Sequence, residues 1–367
     1  MGRFIVKKKI VLGCTVGVLV ALIVFGMHWT TFRYLDQNGA SIAPDRSTRL
    51  VRILQASHQN GYRLKKVAYH HSQHMIVGTY VPRQDPRKVI HNAKYIGVTF
   101  QPTTVPIQHG GQTDPAILER RYNRPTSGRD TLRLIVGDRF NRYRVVSANY
   151  PALSVRDPSI MRQGKRYFII YTRGLLSTTD FSHWQEIKWP ADHGFSYSQD
   201  WAPEFVSGSK GRTWVVMSKT HDSYLHHQLY LTTFTHHRVG RRWKRLQGNF
   251  PENVIDPHIQ YYRGKYYLFC KDESRQQLMM GTAPTATGNY QMHHLDLGPG
   301  YKEGVEALVS GNRIWLYFDT MEQTAANGVV YHGLHYATSD LAGRHWSTVR
   351  PLQSPIVLRH GEIIKNK

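Results

Sequence analysis

Cysteine is nearly absent from this 367-residue chain: Cys14 lies within an uncharged apolar run, and Cys270 stands alone in the remainder. No intramolecular disulfide can staple the part beyond that run, so packing has to hold it together. A long amphipathic helical pattern is missing after residue 30, and no His-x3-His helix accompanies the adjacent histidines at 70/71, 226/227, 236/237 and 293/294. Neighbouring histidines on a strand face opposite sides, so these pairs are read as solvated surface residues and no metal site is assigned to them. Acidic residues are scarce as well, 25 against 48 lysines and arginines, which leaves a net charge of +23.

What is present begins with Arg3, Lys7, Lys8 and Lys9, followed by the eighteen uncharged residues Ile10 to Met27. That length just spans a bilayer core, and basic residues before it favour a cytoplasmic N-terminus with the rest of the chain outside. A cleaved signal peptide is the alternative. The nearest small-x-small site, Ser41-Ile42-Ala43, lies well downstream, which favours an uncleaved anchor. The expected organisation is a basic tip and single transmembrane helix over 1–29, a stalk over 30–61 and a globular domain over 62–367. Localisation follows as the cell membrane, single-pass, with the domain outside; the scarcity of cysteine suits a bacterial surface. An exported basic domain seldom meets nucleic acid, so no nucleic-acid partner is expected. Anionic wall polymers or lipid headgroups are the expected counter-charge, beside the membrane itself.

From Val67 onward, short apolar or aromatic runs alternate with turn-rich segments, as strands do. Four stretches share one grammar: RDPSIMRQGKRYFIIYT (156–172), APEFVSGSKGRTWVVMSKT (202–220), IDPHIQYYRGKYYLFCKDE (255–273) and EGVEALVSGNRIWLYFDT (303–320). In each, a carboxylate precedes a glycine turn and an aromatic strand. Asp157, Glu204, Asp256 and Glu303 are spaced by 47, 52 and 47 residues, and Gly164, Gly211, Gly264 and Gly311 by 47, 53 and 47. Radial β-repeats of this period indicate a propeller, in which the starts of the inner strands converge on the axis. Closure needs a further blade from the strands between about 67 and 148, locked by the C-terminal strand. The prediction is an all-β, five-bladed β-propeller behind a single N-terminal transmembrane helix.

Arg156-Asp157-Pro158, Trp201-Ala202-Pro203-Glu204, Ile255-Asp256-Pro257, Glu303-Gly304 and Arg359-His360-Gly361, in this order and spacing, resemble the motifs of the five-bladed propeller glycosidases of glycoside hydrolase family 43 and its arabinanase-like relatives. The resemblance covers roughly residues 154–364. It implies that Asp157 is the general base, Glu303 the general acid and Asp256 the carboxylate that tunes the acid. An inverting glycosidase needs base and acid about 6.5–9.5 Å apart with a water between base and sugar. Glu303 has a local rival in Glu306, and Val305 stands where the family usually has proline. Arg156, Trp201, Glu204, His258 and His360 complete the expected substrate-binding set. Trp201 could stack on a sugar, Glu204 would position, His258 would line the funnel, and His360 would reach the axis to hold water or a central ion. No other cofactor is expected.

The leading expectation is therefore a membrane-anchored inverting glycoside hydrolase acting on arabinofuranosyl- or xylosyl-type linkages of a polysaccharide or oligosaccharide. Two alternatives stand beside it: a fructan-active relative, and a surface propeller that binds carbohydrate or wall polymer without catalysis. Substituting Asp157→Asn separates the classes. In an enzyme it lowers sugar release by roughly 10²-fold or more while binding persists; a binding protein releases no sugar even unaltered.

Overall fold

The computed structural model describes residues 62–70, 75–82, 84–101, 130–148, 150, 151, 153–189, 200–220, 226–323, 329–354 and 358–366. The apolar run Ile10–Met27 and the stalk lie outside them. No helix among the described residues is long and apolar enough to cross a membrane.

Two compact units are present. In the first, Tyr62–His70 and Met75–Pro82 pair as an antiparallel hairpin. These strands were expected to help build the closing blade; among the described residues they form a separate two-stranded sheet.

The second unit is an all-β propeller of five sheets. From the axis outward, blade I runs Arg359–Lys365, Tyr95–Gln101, Thr131–Arg139 and Arg142–Val145. Blade II is Ser159–Gln163, Arg166–Tyr171, Gly174–Thr178 and Gln185–Glu186. Blade III begins with Trp201–Ser207, Thr213–Lys219 and Gln228–Thr235, blade IV with Val254–Tyr262, Lys265–Asp272 and Gln277–Ala283, and blade V with Tyr301–Ser310, Arg313–Gln323 and Val329–Asp340. The C-terminal strand thus closes the ring as the innermost strand of blade I, pairing antiparallel with Tyr95–Gln101. One short α-helix, Pro86–Asn92, precedes that blade.

The aromatic strands are buried because blades pack face to face. Tyr267, Phe269 and Met280 of blade IV meet Val305, Ala307, Leu316 and Phe318 of blade V in one apolar cluster. Similar clusters join blades II and III, III and IV, and V and I.

Each inner strand is interrupted near its start. The pairing register skips two residues between Trp201 and Glu204, Ile255 and His258, Glu303 and Glu306, and Arg359 and Glu362. In blade II the same gap falls between Arg156, whose carbonyl accepts from the Thr172 N–H, and Ser159. The skipped pairs are Asp157-Pro158, Ala202-Pro203, Asp256-Pro257, Gly304-Val305 and His360-Gly361. A bulge of this kind re-aims a side chain at a rim, and proline suits it because the next N–H has no ladder partner. Asp157, Ala202 and Asp256 take positive φ there, at 51°, 44° and 53°. The four in-phase carboxylates are therefore corrected: Asp157 and Asp256 share the bulge position, Glu303 precedes it by one residue and Glu204 follows it by two.

Gly304 takes the bulge in blade V at φ +61°, and a Cβ there would lie 1.9 Å from His360 Cγ. Gly311, in the turn after the same strand, has φ +63° with no atom within 4 Å of such a Cβ. Alanine at Gly311 should cost about 1 kcal/mol, the left-handed backbone alone. Alanine at Gly304 adds the clash and should cost more than about 3 kcal/mol. Thermal unfolding of the two variants checks the order.

Candidate active site

The bulges bring charged side chains from four blades to one end of the axis. Asp157 of blade II sets Oδ1 2.8 Å from His360 Nε2 and accepts from Thr172 Oγ at 2.7 Å through Oδ2. The other ring nitrogen of His360, Nδ1, lies 2.8 Å from Asp319 Oδ2, and Arg359 Nε donates to the same oxygen at 2.9 Å. Arg359 also donates through Nη2 to Glu303 Oε1. On its other oxygen, Glu303 faces Lys271 Nζ at 3.6 Å. Asp256 accepts from the Gly304 N–H at 2.9 Å. Asp157, Asp256 and Glu303 are thus gathered in one cluster, connected by His360, Arg359 and the Gly304 amide.

Their environments push them apart. Burial alone would raise the Asp157 carboxyl, but the His360 hydrogen bond and the charges of His360 and Arg156 outweigh it and hold it well below the usual range. Asp256 has no such partner. Burial, with the negative charges of Glu303 and Asp157, pushes it up to about 6 despite the opposing charge of His360. Burial works against charge on His360, yet the two flanking carboxylates raise it to about 10. Asp319 is fully buried and nonetheless lowered, because Arg359 and His360 overcome its desolvation.

Glu303, Asp319 and His360 hold polar atoms within 4.8 Å of one another, a spacing that would suit an ion. Both His360 nitrogens lie 2.8 Å from carboxylate oxygens, of Asp157 and of Asp319. As arranged, His360 is a bridge between Asp157 and Asp319.

Two residues further along the inner strands lies a second polar layer. Glu204 is 9% and His258 3% exposed, and they face each other at 2.6 Å. Ser159 Oγ donates to Glu362 Oε2 at 2.5 Å, and Glu306 accepts from the Ile363 N–H. Burial raises all three carboxyls: Glu204; Glu306, well above its usual value; and Glu362, which with the repulsion of Glu204 reaches about 7. Glu306 is 2% exposed in this layer, so Glu303 is the carboxylate that faces the cluster. Trp201 stacks on His227 at 4.3 Å between ring centroids. Arg156, half exposed, lies over Phe100 and 3.4 Å from Asp130.

Asp319 and Lys271 escaped the sequence reading. Both lie on second strands, in FDT (318–320) and CKDE (270–273), where register places Asp319 opposite Glu303 and Lys271 opposite Ile255. The available signal was the charge that follows the aromatic run, seven residues after Gly264 and eight after Gly311.

Residues 174–366, just over half of the chain, match the family model described as a probable glycosyl hydrolase domain, related to family 43. The match takes in Asp256, Glu303, Asp319 and His360 and begins after Asp157. No curated protein matches the chain. Among solved structures it is similar to an α-L-arabinofuranosidase from Lactobacillus brevis, at 14% identity over 53% of this chain and 71% of that one, TM-score 0.40. It is also similar to an α-L-arabinanase from Cellvibrio cellulosa complexed with arabinohexaose, at 12% identity over 61% and 93%, TM-score 0.42. A third likeness is to a β-xylosidase/α-arabinofuranosidase from a compost microbial metagenome in complex with xylotriose, at 10% identity over 61% and 83%, TM-score 0.44.

Asp256 makes stability depend on pH. Its folded value of about 6 exceeds the ordinary 3.8, so the folded state binds this proton more tightly than the unfolded chain does. The resulting stabilisation is full below about pH 4 and lost as pH rises through about 6. Asp256→Asn should therefore remove that slope and stabilise the protein at neutral pH by on the order of 2 kcal/mol. Urea denaturation at acid and neutral pH measures it; a variant less stable than the parent at neutral pH contradicts it.

Proposed function

Because the chain belongs to the glycosyl hydrolase 43-related family, we propose that it is an inverting glycosidase that cleaves arabinofuranosyl- or xylosyl-type linkages of an extracellular polysaccharide from a membrane anchor. The observation that carries this reading is the opposed state of two gathered carboxylates. Asp157 is kept ionised by His360, while Asp256 retains its proton to about pH 6 beside Glu303. An ionised Asp157 can take a proton from water attacking the anomeric carbon, and Glu303 can protonate the departing oxygen. Asp256 and Glu303 repel each other when both are charged, which is the interaction expected of a tuning carboxylate. Arg156 and Trp201, at corresponding positions of neighbouring inner strands, are proposed to contact the sugar; Glu204 and His258, buried on each other, act through the shape of the axis.

One observation favours a second reading, a propeller that binds carbohydrate without cleaving it. Glu303 meets two cations, Arg359 and Lys271, and nearby cations favour the charged form of a carboxylate, which has no proton to give.

The full chain in detergent, offered nitrophenyl arabinofuranoside, nitrophenyl xyloside and debranched arabinan, decides between them. Proton NMR of the first product should show the inverted anomer; retention would instead favour a fructan-active type of chemistry. Glu303→Gln should slow arabinan or xylan cleavage by roughly 10²–10⁴-fold, and nitrophenyl glycosides far less, because nitrophenolate leaves without a proton. Equal losses on both substrates remove Glu303 from the acid role. The anchor and the basic surface are proposals from sequence: the full chain should stay with membranes after a high-salt wash, and deleting residues 1–29 should release it. An anionic wall polymer should bind the released protein in a salt-sensitive manner.

A further inference from the structure

Lys271 and Glu273 have no part in the mechanism above, yet they adjoin its proton donor. Lys271 is 2% exposed at the end of the second strand of blade IV. A buried ammonium needs counter-charge, and this one has two: Glu273 Oε2 at 2.7 Å and Glu303 Oε2 at 3.6 Å. The Glu273 side chain is 28% exposed, so it sits between the cluster and solvent. The lysine is thereby drawn off Glu303 by about the difference between a direct ion pair and a looser contact.

We propose that Lys271 and Glu273 form a positioning pair that sets how readily Glu303 gives up its proton, Lys271 favouring the carboxylate and Glu273 holding Lys271 back from it. This rests on Glu303 being the acid of the preceding section. The other charged groups around Glu303 are Arg359 on the inner strand of blade I, Asp319 on the second strand of blade V, Asp256 on the inner strand of blade IV, and His360 beyond Asp319. Arg359 is shared with Asp319, and Asp256 repels Glu303, so those groups partly offset one another. Lys271 is the remaining cation facing Glu303 among the described residues, and Glu273 is what competes for it. When Glu303 passes its proton to the leaving oxygen, a carboxylate appears 3.6 Å from the ammonium, and Lys271 stabilises it without having to move far.

The pair makes opposite predictions for its two members. Lys271→Met removes the cation and should move the alkaline limb of kcat/KM to higher pH by roughly one pH unit. Glu273→Gln frees Lys271 to close on Glu303 and should move that limb to lower pH by a similar amount. Lys271→Arg should leave it near its original position, and the double variant Lys271→Met/Glu273→Gln should return toward it. A merely structural pair would lower kcat or stability without displacing the limbs in opposite directions. Carboxyl-¹³C NMR of glutamate-labelled full-length protein, with Glu303→Gln to assign the signal, reads the same order without any turnover. A titration midpoint for Glu303 that rises in the order Glu273→Gln, parent, Lys271→Met supports the proposal. Midpoints unchanged, or displaced the same way in both variants, overturn it. A protein that releases no sugar while its Glu303 midpoint follows this order would overturn the glycosidase reading and leave the electrostatic pair standing.

Discussion

The strand Arg359–Lys365 is the constraint on which the rest depends. It joins the last residues of the chain to Tyr95–Gln101 and so closes the ring. The same strand carries Arg359, which reaches Glu303 and Asp319; His360, which bridges Asp157 and Asp319; and Glu362, which accepts from Ser159, 203 residues away in sequence. Closing the fold and assembling the candidate site are one event. Asp157 lacks His360 and Glu303 lacks Arg359 until the ends of the propeller meet, and the entropy of closing so long a loop is met by the hydrogen bonds and packing of a whole strand.

Around that strand, buried charges are arranged in alternation. His360, Arg359 and Lys271 stand between Asp157, Asp319, Glu303 and Glu273, so most carboxylates have a cation within ion-pair distance. Buried charge is tolerable under those terms and costly without them. Asp256 is the exception: its partner is a backbone N–H, and its neighbours include two like charges. Its raised proton affinity is the local cost of placing a third carboxyl beside Asp157 and Glu303. The layer of Glu204, Glu306 and Glu362 follows another rule. Buried near one another on the axis, these groups have raised proton affinities and make hydrogen bonds, joining the inner strands below the cluster.

Much of this is legible in the sequence. The repeat of turn glycines and aromatic strands indicates five blades because each blade spends a similar number of residues on similar strands. Asp157 and Asp256 are readable because proline after an acid marks the bulge. Glu204 was drawn into the same set by a spacing of 47, but spacing sums strand, turn and loop lengths and cannot separate a bulge residue from one two places on. The strands at 62–82 looked like blade material from their pattern alone, since a hairpin and the outer half of a blade share one alternation. Asp319 and Lys271 had no visible role because their meaning comes from residues opposite them in another strand.

By itself, then, the sequence determined the all-β repeat, the C-terminal closure and the three carboxylates at inner-strand starts, since these follow from local chemistry repeated along the chain. Only the tertiary structure decided which cation each carboxylate meets, and that Asp157 is moved down and Asp256 up in proton affinity. Proton affinity in a buried cluster depends on distances between side chains from different blades, and those distances exist only once the ring is closed.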